Sequence, residues 1–269
     1  KIQLVDIDEH SVPIPNPAEA VTELLTKLNA HPDMQFLIGG FRTECVFAMR
    51  EAAMDYAAVH GRPIWFITGA ADDGLITDVR YNYDRYKYMF RVSPVNATTL
   101  LNALVAFMRD YLLPEKLVPE YGSPVKTYII AEDLIWCDGI VEGLQGGALG
   151  TQANIVGISR PSPIETDFAP FLDIIAASGA KLIIHIFSTV AGPNFIWKWG
   201  ERKVPAVPVG INVESTDPEY ETIVCCVGTR TDINPNAKPL GTAEFWDEYT
   251  ARYGYAPLCI AFHADNTII

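Results

Sequence analysis

Phe36-Leu37-Ile38-Gly39-Gly40-Phe41-Arg42-Thr43-Glu44 is a short apolar run that ends in two glycines and then a hydroxyl residue able to cap a helix. It reads as a buried strand turning abruptly into a helix. Such a turn leaves backbone N–H groups pointing outward at the C-terminal edge of a sheet, where open α/β folds bind ligands. A second stretch of the same kind, Ile130-Ala131-Glu132-Asp133-Leu134-Ile135-Trp136-Cys137-Asp138-Gly139, follows about one lobe's length downstream. Two such edges facing each other across a cleft would make a two-lobed binder that closes on a small molecule.

Outward from the first stretch, the pattern is βα throughout. Lys1 to Asp6 alternates as a strand does, and Asn16 followed by Pro17 gives a cap with proline at the first helical position. Val21, Leu24, Leu25 and Leu28 carry the helix that follows, and His31-Pro32 ends it. With Phe36 to Ile38 as the next strand, this is a βαβ crossover expected to be right-handed. Val46, Met49, Ala53 and Ala57 mark a helix with a small buried face, Gly61 sits where a left-handed cap is wanted, and Ile64 to Thr68 is a strand. That strand runs into Gly69-Ala70-Ala71-Asp72-Asp73-Gly74, a small-residue turn expected to expose further backbone donors at the same edge.

Arg80, Arg85, Lys87 and Arg91 alternate with Tyr81, Tyr83, Tyr86, Tyr88 and Phe90, a period-two pattern read as an exposed hairpin or strand. Met89 to Val92 is a strand, Asn96 caps a long helix, and Pro114 to Pro124 is a polar connection. The rhythm restarts with strand Val125 to Ala131, helix Trp136 to Leu149, strand Asn154 to Ile158 and helix Asp167 to Ala177. Strand Lys181 to Phe187, a helix around Phe195 to Gly200, strand Val207 to Val209, extended Thr222 to Val227, and helices Ala243 to Tyr253 and Pro257 to Ile269 complete it. The fold class is α/β: two doubly wound parallel-sheet lobes joined by a hinge.

Composition narrows the function. At 269 residues the chain is long enough for two lobes, and 49% hydrophobic residues is ordinary for a globular protein. A formal charge of −13 repels phosphate backbones, so nucleic acid is not an expected partner. The cysteines Cys45, Cys137, Cys225, Cys226 and Cys259 lack the paired spacing of a zinc site, and most read as small buried hydrophobes. Asp6, Asp8, Glu9 and His10 read as an acidic loop after a strand rather than a metal cluster, and His185, inside an apolar strand, as a core histidine. No metal and no cofactor is expected. There is no GxSxG elbow, no P-loop and no HExxH, and Gly143, Gly146, Gly147 and Gly150 do not follow a strand as a dinucleotide loop must.

Several phrases taken in order resemble the type I periplasmic solute-binding proteins of ABC transporters, in particular the branched-chain amino acid-binding family. They are the Phe36–Phe41 run, Ile67-Thr68-Gly69-Ala70-Ala71, Phe90-Arg91-Val92-Ser93-Pro94, and Ile130-Ala131-Glu132-Asp133 with Trp136 and Gly139. Thr166-Asp167-Phe168 and Val209-Gly210-Ile211-Asn212 continue the series. The resemblance implies a type I fold lacking an opening strand and helix before Lys1 and continuing beyond Ile269. It places lobe crossings near Ser93-Pro94 and Val227-Gly228, so that residues 1–94 with 229–269 form one lobe and 95–228 the other. It implies a periplasmic or extracellular protein, its signal peptide removed and the chain lipid-anchored in some settings, that binds an amino acid or small carboxylate and delivers it to ABC permease subunits.

The same resemblance assigns the site. Arg42 and Thr43 in the first edge, and Gly69, Ala70, Ala71 and Asp72 in the second, match positions that hold the ligand's carboxylate. A helix start favours an anion and an arginine fork binds a carboxylate, although Arg42 departs from the small polar residue usual there. Trp136 matches an aromatic laid over the ligand, a face whose burial contributes about 1.5–3 kcal/mol by area. Phe187 with Ser188, and Asn212 with Glu214, match two further contact regions, the last being where relatives place an acid for the ligand's ammonium group. The leading expectation is solute capture by hinge closure without catalysis. A ligand-sensing domain of a receptor or regulator, and an α/β enzyme acting on a small acid or amide, are the alternatives.

Overall fold

A computed structural model describes residues 3–93, 96–213 and 251–252. They fall into two units, one running to Thr98 and including Leu134–Trp136, the other comprising Thr99–Asp133 and the chain from Cys137. Pro94 and residues 214–250 and 253–269 lie outside the description, so the expected crossings at Pro94 and Val227-Gly228, and the late helices at Ala243 to Tyr253 and Pro257 to Ile269, are not described in full.

The first unit opens with irregular chain where a strand was expected over Lys1 to Asp6. Its apolar alternation finds no ladder partner among the described residues, and Leu4 is 86% exposed. Helix α1 (Pro17–Ala30) is capped as expected, Asn16 accepting from the Glu19 N–H at 3.3 Å. Strand β1 (Phe36–Gly39), helix α2 (Thr43–His60), strand β2 (Ile64–Ile67), helices α3 (Gly74–Tyr81) and α4 (Tyr83–Tyr86), and strand β3 (Met89–Arg91) follow. The three strands form a parallel sheet in the order β1-β2-β3. Its inward residues Leu37, Trp65, Ile67 and Met89 pack on Ala20, Leu24 and Leu28 of α1 and on the small-residue stripe of α2, including Val46, Met49 and Ala53. The opposite face carries Phe36, Phe66 and Phe90 in a row, centroids 6.0 and 5.9 Å apart.

The tyrosine-rich segment, expected as an exposed hairpin or strand, is helical as far as Tyr86, and only its end, with Phe90 and Arg91, is strand. Tyr86 turns inward, where its ring lies 4.4 Å from the Arg50 guanidinium and its hydroxyl donates to Glu51 at 3.0 Å, while Tyr81 and Tyr83 face solvent. Arg85 binds Glu51 and Asp55, so it is not part of an open cationic stripe. Burial alone would raise the Glu51 carboxyl. Hydrogen bonds from Arg85 and Tyr86, with the Arg50 charge, overcome that and hold it below its ordinary value.

The second unit begins within α5 (Ala97–Phe107), at Thr99, and the helix continues as a π-helical stretch (Met108–Leu117) and a last turn α6 (Val118–Tyr121). The connection expected at Pro114 is therefore helical: a widened turn, in which the Val118 N–H reaches back five residues to the Leu113 carbonyl, accommodates a proline that has no N–H to donate. Strand β4 (Val125–Ala131), helix α7 (Ile135–Gln145), strand β5 (Ala153–Ser159), helix α8 (Ala169–Ser178), strand β6 (Leu182–Phe187), helix α9 (Ala191–Arg202) and strand β7 (Val207–Asn212) follow. The sheet is parallel in the order β5-β4-β6-β7. β6 is buried along its whole length, which is why it reads as the unbroken apolar run LIIHIF. Because β5 and β6 lie on opposite sides of β4, the winding reverses between β4 and β6, the place where such sheets open a crevice at their carboxyl ends. No helix among the described residues is long and apolar enough to cross a membrane.

Candidate functional site

In the first unit the edge is built by two turns. After β1, Gly39 and Gly40 adopt φ of +132° and +102°, a backbone that side-chain-bearing residues rarely take. After β2, Gly69 comes so close that an added Cβ would lie 2.7 Å from the Gly40 carbonyl oxygen and 2.9 Å from Phe41 Cα. The contact is sealed by the N–H groups of Gly69 and Ala70, which both donate to that carbonyl at 2.9 and 3.0 Å. These two donors, expected to face outward, are thus used within the fold.

Arg42 occupies the cap position of α2 and is buried, its guanidinium 4.4 Å over the Phe41 ring. The cap expected of Thr43 is not made, because Thr43 is already the first helical residue and Arg42 supplies no side-chain cap bond. The N–H groups of the two residues just ahead of the helix, Phe41 and Arg42, are met by Glu9. Its two carboxylate oxygens accept from the Phe41 N–H at 2.9 Å each, and one accepts from the Arg42 N–H at 3.4 Å. Thr43 is 1% exposed and its hydroxyl has no hydrogen-bond partner. An orphaned buried hydroxyl at the carboxyl edge of a parallel sheet calls for an explanation.

The second turn is held from below. Arg91, at the end of β3, donates from Nη2 to the Ala70 carbonyl at 3.0 Å and to the Asp72 carbonyl, while its Nη1 lies 4.0 Å from Asp73. Burial lowers the Arg91 pKa, and its Nε and Nη1 have no hydrogen-bond partner. Asp72 accepts from the Gly74 N–H at 2.6 Å, Ala71 accepts from the Ala97 N–H at 2.8 Å, and Asp73 ties down the start of α5 through Thr98. Glu9 and Arg91 are the residues sequence reasoning did not place in the edge. Glu9 was visible as part of an acidic loop, and Arg91 as a member of a basic alternation and of the strand phrase Phe90-Arg91-Val92-Ser93-Pro94, neither with a role in the edge.

In the second unit the reversal between β4 and β6 is filled by Glu132, which is fully buried. One oxygen accepts from the Ser188 N–H at 2.9 Å and from the Ser188 hydroxyl, and the other accepts from Thr189 Oγ1 at 3.0 Å. Ser188 is therefore bonded to the chain's own carboxylate. Phe187 is fully buried in an aromatic core with Phe168 and Phe195, at 5.7 and 5.5 Å. Asn212 ends β7 opposite Phe187, its amide against the first turn of α9, where a Cβ on Gly192 would come within 2.4 Å of it. Trp136, the second residue of α7 but grouped with the first unit, is 6% exposed. Glu214 lies outside the described residues.

The other candidates settle into structure. His185 is buried among Phe187 and Phe195, its Nδ1 without a partner, and burial pushes its pKa down to about 4. Cys45 and Cys137 are buried and in no disulfide, and burial with the nearby Glu9 charge pushes Cys45 up to about 11. The Asp6–His10 loop does not gather around one point: Glu9 turns to Phe41 while His10 faces Asp8 and Glu19. Among the described residues no group of His, Cys, Asp and Glu is arranged to hold a metal.

No family model and no curated protein matches this sequence. Solved structures do match. The branched-chain amino acid transporter substrate-binding protein LivJ from Streptococcus pneumoniae, in complex with isoleucine, is similar at a TM-score of 0.73 and 15% identity, over 99% of this chain and 69% of that one. A solute-binding protein of an ABC transporter from Rhodopseudomonas palustris, in complex with 3,4-dihydroxybenzoic acid, is similar at 0.68 and 15% identity, over 94% and 65%. Another from R. palustris, in complex with 4-hydroxybenzoate, is similar at 0.56 and 16% identity, over 72% of this chain and 47% of that one. The chain thus spans about half the length of that protein. The likeness establishes the fold: this is the type I fold of ABC-transporter solute-binding proteins.

Proposed function

We propose that this protein captures a small carboxylate-bearing solute, an amino acid or a related organic acid, outside the cytoplasmic membrane and hands it to the permease of an ABC importer. It makes and breaks no bond. The observation that carries the reading is the buried, unpartnered Thr43 hydroxyl at the start of α2, on an edge stiffened by Gly40, Gly69 and Arg91. A solute carboxylate there would supply the missing acceptor. The reading is supported by the fold and by what its structural neighbours hold, isoleucine in one and hydroxylated benzoates in two.

A thermal-shift screen of aliphatic amino acids, benzoate and hydroxybenzoates tests it. A true ligand at a hundred times its dissociation constant adds about 2.7 kcal/mol of stability. It is recovered chemically unchanged after incubation. Melting curves that no small acid moves, or turnover of the acid, would overturn the reading. In the same assay Trp136→Ala should weaken the best ligand by about 10- to 100-fold, the loss of about 1.5–3 kcal/mol of apolar burial. Unchanged affinity would remove Trp136 from the site.

A further inference from the structure

The two N–H groups just ahead of α2, those of Phe41 and Arg42, are not waiting for a ligand. Glu9 reaches them from the irregular segment ahead of α1, 32 residues away in sequence, and both of its oxygens accept from Phe41. One residue past the second donor, the Thr43 hydroxyl is buried and has no partner. The chain entering α2 therefore holds a filled anion seat at Phe41 and Arg42 and, on the next residue, an unfilled donor.

Resting on the solute-capture reading, we propose that Glu9 is a specificity-determining residue: its carboxylate is a resident anion on the Phe41 and Arg42 N–H groups, so the edge admits one solute carboxylate at Thr43 and turns away a second. The physical basis is the preference of a helix start for negative charge, which Glu9 has already met. A second carboxylate finds its seat on those N–H groups taken and meets the like charge of Glu9 without a donor to offset it. A solute whose carboxylate is flanked by an ammonium or hydroxyl group instead offers Glu9 a donor. The chemistry selected is the monocarboxylate, with diacids excluded. Glu9 is half-buried, unlike the sealed Glu132, so its place is within reach of small ions once vacated.

Two variants test this. Glu9→Ala empties the seat, and with no solute present its melting temperature should fall below that of the wild-type chain. Formate at high millimolar concentration should restore at least half of the loss, chloride at equal ionic strength should restore none, and the wild-type chain should respond to neither. Equal responses of the two proteins to formate would overturn the resident-anion assignment, whatever solute the protein takes. Glu9→Gln keeps the size of the side chain and covers the case in which the alanine variant does not fold. Calorimetric titration with benzoate and with its para-dicarboxylate, terephthalate, should show the ratio of dissociation constants moving at least tenfold toward the diacid in Glu9→Gln. An unchanged ratio would overturn the selectivity role. Failure of every monocarboxylate to bind the wild-type chain would instead overturn the solute-capture reading, while the formate result stands by itself.

Discussion

Glu9 and Glu132 invite comparison, because each is a carboxylate drawn in to satisfy donors at the carboxyl edge of a parallel sheet. Glu132 stands where the winding of its sheet reverses, is fully buried, and is held by Ser188 and Thr189. Glu9 comes from an irregular segment, remains half-buried, and meets only main-chain N–H groups, with an unpartnered Thr43 hydroxyl beside it. The difference teaches that the same chemical device closes one edge and leaves the other incomplete. In the second unit the carboxylate at the reversal is taken up by the chain's own Ser188 and Thr189. In the first, a donor is left over.

The most forceful way to break this comparison is to remove both carboxylates in turn. Glu132→Ala strands three buried donors and should cost about 3–5 kcal/mol in urea unfolding. Glu9→Ala should cost only about 1–2 kcal/mol, since water can reach its donors. Equal losses would erase the distinction between a sealed and an open edge.

Mild acid sharpens it next. His185 is held neutral in the fold, its pKa depressed to about 4 by burial. The unfolded chain therefore takes up its proton near pH 6.5 while the native chain does not. The stability contributed is complete above about pH 6.5 and is lost as the pH falls toward about 4, by up to about 1.4 kcal/mol per pH unit. Glu51 of the first unit also has a lowered pKa, so its contribution is present above the ordinary carboxylate range and is lost only below it. Acid titration followed by hydrogen exchange should loosen the β6 region before the α2–α4 region, and His185→Phe should flatten that early slope. Simultaneous loosening, or a slope that survives the substitution, would contradict the assignment.

The smallest effect concerns the loop under the first edge. Arg91→Met removes the bonds to the Ala70 and Asp72 carbonyls but also the cost of burying a cation, so global stability should change by less than about 1 kcal/mol. Amide exchange over residues 70–73 should nevertheless quicken at least several-fold. Unaltered exchange would show that Arg91 does not hold the turn.

Much of this architecture is legible in the sequence where one physical signal dominates. The apolar runs of β1, β2, β4 and β6, the Asn16-Pro17 start of α1 and the Gly61 stop of α2 can all be read from local pattern. The reading fails where two signals compete. Tyr81 to Tyr88 alternates like a strand, yet Glu51 and Arg50, some 35 residues earlier in the chain, draw Tyr86 inward and make the segment helical. Pro114 reads as a break until a widened helical turn accommodates it. At the site, the glycine turns announce themselves, but Glu9 on Phe41, Arg91 under Ala70 and Glu132 on Ser188 are pairings across 21 to 56 positions, which no local pattern encodes.

On the proposed reading, a solute carboxylate completes the edge at Thr43. Calorimetric titration of the wild-type chain with the acid that scores best in the thermal screen, and with the primary amide of the same acid, tests it most directly. The account predicts saturable one-to-one binding of the acid and at least about 100-fold weaker binding of the amide, about 2.7 kcal/mol carried by the charged group. Acid and amide binding with equal affinity would contradict it.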